Sequence, residues 1–136
     1  MGTRGRVSAA SMEIAGAQTV QKVQRPDAPY DLTDEQTDEW WAVVNRLPAD
    51  WFPRETHGLL AQYCRHVVAA RRVATLITAM EKAGGDLNIA DYDRLMKMQE
   101  REGRAMSSLA SRMRINQQST RSDKTKKPLQ MERPWE

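Results

Sequence analysis

The residues of this chain best suited to chemistry are cations. Arg94, Lys97, Arg101, Arg104 and Arg112 recur at helical spacing, so a 3.6-residue helix lines them along one side while Leu95, Met98, Met106, Leu109 and Met113 line another. Guanidinium and ammonium groups arrayed on a solvent face bind anions, and the phosphates of a nucleic acid backbone suit such a row without any reading of sequence. Arg101 and Arg112 sharpen the point, because neither has an acidic residue three or four positions away. Asp93 to Lys97 and Glu100 to Arg104, by contrast, are i,i+4 pairs in the favourable order, and Asp91 can reach Arg94, so half of the stripe could equally be a self-neutralised surface. Arg65 and Arg72, one heptad apart on the preceding helix, form a smaller cationic spot.

Other chemistries lack their residues. His57, Cys64 and His66 do not show the paired spacing of a zinc site, and Gly84-Gly85 is followed by Asp86 instead of the Lys-Ser/Thr of a phosphate loop. No Ser, His and Asp arrangement stands out, and the acids gather at helix starts, where capping and the helix dipole explain them. The expectation is a binding protein: no enzyme, no metal and no cofactor.

The elements that must position the stripe are helices. One Phe and three Tyr stand against eight Met, and Val and Ile are not gathered into alternating runs, so the chain reads as all-α. The first firm helix starts at Thr33, whose hydroxyl and Gln36 make a capping-box pattern, with Asp34, Glu35, Asp38 and Glu39 complementing the positive end of its dipole. Trp40, Trp41, Val44 and Leu47 supply its apolar side, and Pro48 stops it. The second helix is expected from about Arg54 to Lys82, with Pro53 at its first position and Gly84-Gly85 after its end. The third, capped by Asp86 or Asn88, runs from about Ala90 to Arg114 and carries the stripe. The second and third make a long antiparallel hairpin. Glu102 falls within the apolar arc of the third helix and needs a partner; Arg65, Arg72 or a neighbouring subunit are the candidates.

Around this domain of residues 30 to 114 lie two tails. Residues 1 to 29, with Pro26 and Pro29 near their end, read as a flexible arm that has room for one short helix around Met12 to Val23. Residues 115 to 136 read as a flexible basic tail bearing Lys124, Lys126 and Lys127, whose closing Leu129, Met131 and Trp135 are either a short docking peptide or an unstructured end with an incidental Trp. The net charge of +3 divides into +2 for residues 1 to 30, −3 for 31 to 88, +2 for 89 to 114 and +2 for 115 to 136. Basic character thus lies in the last helix and both tails, as a negatively charged partner requires. No stretch approaches the roughly 20 apolar residues of a membrane span, the N-terminal residues lack the apolar core expected of a signal peptide, and the lone Cys64 fits a reducing cytoplasm. The apolar arc of the second helix, from Leu59 to Met80, is wider than one partner helix covers, so copies of the same chain are expected to cover the remainder.

The order of these features resembles the terminase small subunit of tailed bacteriophages. The similarity spans roughly residues 26 to 121: the Pro26 to Pro29 approach, the Trp-bearing first helix, the long hairpin, and a closing segment, Met113-Arg114-Ile115-Asn116-Gln117-Gln118-Ser119-Thr120-Arg121. That segment is similar to the Leu-Gly-Leu-Thr-Pro-Ser-x-Arg type of run in that family, with Arg114 in place of its Gly and Gln117 in place of its Pro. The resemblance implies a non-catalytic subunit that assembles into a ring, binds double-stranded viral DNA near the packaging start, and presents it to a large terminase subunit holding the ATPase and nuclease, in the cytoplasm of the infected bacterial host. Two other readings stay open: a helical virion-assembly protein, such as a connector or scaffold component, without DNA affinity, and a small transcriptional regulator.

Overall fold

The computed structural model describes residues 23–117. They form three α-helices and no strand: α1 (Asp34–Arg46), α2 (His57–Lys82) and α3 (Ile89–Arg112), with a 3₁₀ turn at Arg54–Thr56 before α2. The all-α class is as expected. α1 begins with the full capping box, in which the Thr33 hydroxyl accepts from the Gln36 amide and the Gln36 side chain accepts from the Thr33 amide, so two otherwise orphaned donors are satisfied. α3 begins at Asn88, whose Oδ1 accepts from the amides of Ala90 and Asp91. Between α2 and α3, Gly84 and Gly85 take φ of 56° and 132°, a region that residues with a Cβ rarely visit.

The start of α2 differs from expectation. Pro53 stays extended (φ −64°, ψ 159°) and accepts from the Thr56 amide and hydroxyl, so the 3₁₀ turn intervenes and the α-helix begins at His57. Proline lacks a donor but not an acceptor, and its carbonyl organises the turn here.

The core lies where α1 crosses the first half of α2 and the end of α3. Trp40, Val44 and Leu47 pack with Leu60, Ala61 and Cys64 from α2 and with Leu109, Met113 and Ile115. Trp40 is the largest fully buried side chain, its ring edge-on to His57 at 6.0 Å, and its indole N–H donates to Pro26 O at 3.0 Å. Tandem tryptophans thus serve packing, with Trp41 only partly buried beside the core. α3 lies along α2: Tyr92 Oη donates to Glu81 near the connecting loop at 2.9 Å, and Glu102 meets His66 farther from it.

Two segments assigned by sequence to the tails belong to this folded unit. Arg25 Nη1 donates to the carbonyls of Val44 at 2.7 Å and Leu47 at 2.5 Å, closing the C-terminal end of α1, so residues 25 to 29 are docked on the domain. At the other end, Ile115 is buried in the core, which moves the domain boundary beyond Arg114. A Schellman turn brings it there: Arg114 N–H donates to Ser111 O at 3.2 Å, Ile115 N–H to Ala110 O at 3.0 Å, and Arg114 takes φ 55°. The tandem of turn and apolar residue ends the helical period, and so the periodicity that marks a core residue is lost at the point where one is used.

Candidate nucleic-acid interface

The rows of cations and apolar residues separate on α3 as the helical period requires. Leu109 and Met113 are buried and Leu95 and Met106 partly so, whereas Arg94, Lys97, Arg101, Arg104 and Arg112 are all exposed. Met98 departs from its row, for it is exposed at 43%. Three of the five cations hold an acid on their own helix: Arg94 with Asp91 at 3.3 Å, Lys97 with Asp93 at 2.6 Å, and Arg104 with Glu100. The bond from Asp93 raises the Lys97 ammonium above its ordinary pKa and keeps it charged. Pairs this exposed are weak and exchange readily for another anion.

Arg101 and Arg112 are different. Neither is in an ion pair among the described residues. Eleven positions apart, they lie about 16 Å from one another along the helix axis, too far apart to share one small anion. Arg112 also stands in the last turn of α3, where the carbonyl end of the helix favours a cation.

The α2 spot divides in the same way. Arg65 is held by Asp31 at 2.6 Å and by Gln62 Oε1 at 3.4 Å, which attaches the segment before α1 to α2 and leaves Arg65 only partly available. Arg72 is exposed and forms no ion pair among the described residues, while its neighbour Arg71 pairs with Glu39 of α1. Lys124, Lys126 and Lys127, and the docking residues Leu129, Met131 and Trp135, lie outside the described residues.

Glu102 finds a partner that charge counting overlooked. Its Oε2 accepts from His66 Nδ1 at 2.5 Å across the α2–α3 contact, with both side chains largely buried, so Arg65 and Arg72 are not its partners. Gln62 Nε2 lies 3.2 Å from His66 Nε2, so both ring nitrogens are engaged. His66 directly follows Arg65 in the sequence, and its ring is a hydrogen-bond donor that a count of formal charges leaves out. Another exposed cation, Arg114, follows Arg112 and borders an open hollow with Pro48, Asp50, Trp51 and Met113. Among the described residues no group of three or more His, Cys, Asp or Glu could hold a metal ion, and no helix is long and apolar enough to cross a membrane. Compared with known proteins, the chain matches no family model, no curated protein and no solved structure.

Proposed function

We propose that this chain is a non-catalytic DNA-binding subunit of the small-terminase type, which self-assembles, holds double-stranded viral DNA by its phosphates and presents it to a large ATPase and nuclease subunit in the cytoplasm of an infected bacterium. The observation that carries the DNA contact is the exposed stripe of α3, in which Arg101 and Arg112 have no acid to neutralise them and three further cations hold theirs only by exchangeable surface pairs. A hairpin of α2 and α3 presents that stripe, and a ring of copies multiplies it around a common axis. The turn after α3 supports the resemblance: Arg114 stands where the similar segment carries glycine, and it takes the left-handed backbone that glycine adopts freely.

The test is fluorescence anisotropy of the full chain with duplex DNA at low salt, repeated for Arg101→Glu/Arg112→Glu. Binding falls at least tenfold in the variant, and the salt dependence flattens by about two counterions, since each phosphate contact contributes about 0.9 to the slope. Unchanged affinity moves the DNA contact off α3. No affinity in the wild type favours the virion-assembly reading, in which the basic face meets protein.

A further inference from the structure

α1 covers only the first half of α2. Ala61, Val68, Thr75 and Lys82 follow at seven-residue spacing and share one line of that helix, yet Ala61 and Val68 are buried while Thr75 and Lys82 are exposed. The change falls where α1 begins. Arg71 pairs with Glu39 in the early turns of α1, and just beyond lies a hollow of about 610 Å³ lined by Glu35, Arg71, Arg72, Thr75 and Leu76. A second, of about 430 Å³, continues past Ala74, Thr75, Thr78, Ala79 and Lys82. Thr75 lines both, so they form one shallow groove running on along α2 past the start of α1.

The groove is prepared for a helix. Its threonine hydroxyls are already bonded to their own helix, Thr75 to Arg71 O and Thr78 to Ala74 O, each at 3.0 Å, and so need no outside partner. The alanines allow close approach, and Leu76 remains 54% exposed. Arg72 and Lys82 flank it, exposed, with no ion pair among the described residues. The occupant that fits is acidic and small-faced. This chain owns such a surface in α1, whose outward side carries Asp34, Asp38, Ala42 and Asn45 at helical spacing, all exposed, with neither aspartate in an ion pair among the described residues.

We infer that the groove receives the outward face of α1 from a second copy of the chain. Groove and α1 are different surfaces, so the contact is heterologous: each copy donates one and accepts on the other, and repetition gives a ring where the rotation closes. The inference rests on the self-assembly part of the function proposed above and is independent of DNA contact. Opposite charge sets the register, and burial of Leu76 and the alanine floor adds an apolar contribution.

Light scattering of the full chain at low salt tests it with two charge-reversed variants, Arg72→Glu/Lys82→Glu in the groove and Asp34→Lys/Asp38→Lys on α1. The wild type runs as an oligomer, each variant alone falls to monomer with its helical circular dichroism retained, and an equal mixture reassociates into oligomers in which the two variants alternate, because every groove again meets an α1 of opposite charge. Variants that keep the wild-type mass overturn the groove and leave self-assembly standing. A mixture that stays monomeric overturns α1 as the occupant, and a monomeric wild type overturns both the inference and the assembly on which it rests. If the lysine variant loses its helical signal, Asp34→Asn/Asp38→Asn takes its place, with weakened association expected and unchanged association overturning the contact.

Discussion

His66 on α2 donates its Nδ1 proton to Glu102 on α3, 2.5 Å away and shielded from most solvent, so one hydrogen bond joins the two long helices through a carboxylate that would otherwise face an apolar surface. Removing only the histidine leaves the acid part-buried without its partner, which costs about 1–3 kcal/mol. His66→Ala therefore lowers the unfolding free energy read from a urea titration by that amount. Replacing both residues by leucine recovers most of the loss, because neither group then needs a partner. A double-leucine variant no more stable than His66→Ala would place the cost in packing instead.

Arg25 closes the carbonyl end of α1 from a position 19 and 22 residues away in sequence. Arg25→Ala leaves the Val44 and Leu47 carbonyls to water and lowers stability by about 1.5–3 kcal/mol, the range for hydrogen bonds to a charged donor. Amide hydrogen exchange checks the location: protection falls first at the last turn of α1, before α3 is affected. Uniform loss along all three helices would assign Arg25 a global role.

The Schellman turn after α3 holds a strained residue and a core residue side by side. Arg114→Gly relieves the left-handed backbone at φ 55° and raises stability by about 0.5–1 kcal/mol, once the greater freedom of glycine in the unfolded chain is subtracted. Ile115→Ala next to it removes buried apolar volume and lowers stability by about 2–4 kcal/mol. Thermal melts of the two variants should move in opposite directions; a small effect of Ile115→Ala would return that residue to the tail.

Cys64 is fully buried, and burial, assisted by the nearby Glu39 carboxylate, pushes its thiol up from near 9.0 to about 12. Burial likewise raises the Tyr63 phenol. Since the folded chain holds these protons more tightly than the unfolded one, their stabilisation is complete below the unfolded values and is lost as pH rises through 9 toward 12, by about 1 kcal/mol per pH unit for the thiol. Urea midpoints should be flat from pH 7 to 8.5 and fall above pH 9. In the same window the native thiol resists iodoacetamide at pH 8 and reacts once urea unfolds the chain.

What was legible in the sequence is what acts over a few residues. Thr33 with Gln36, Asn88 with Ala90 and Asp91, and the i,i+4 pairs on α3 are local chemistry, and each stands in the structure as its spacing requires. The bonds of Arg25 to α1, of Asp31 to Arg65 and of Glu102 to His66 span 19 to 36 positions, and no local pattern distinguishes those side chains from other charged residues. Ile115 escaped for another reason: it follows a left-handed residue, so its burial obeys the turn and not the helical period. For the candidate interface, Arg101 and Arg112 were separable from their neighbours by sequence alone, while the occupation of Arg65 by Asp31 required the tertiary fold.

Residues 25 to 28 and Ile115 attach to one and the same core, the first through Arg25, Pro26 and Ala28 and the second through the Schellman turn. Residues 81 to 90, around the connecting loop, are all exposed and none belongs to that core. The segment of Arg25 to Ala28 and the turn at Ile115 are therefore tethered to one end of the α2–α3 pair, and the connecting loop lies at the other. Fluorophores on the loop and at Asp27 would report the span of the folded unit, whereas labels at Asp27 and Arg114, which flank that shared core, would stay close together.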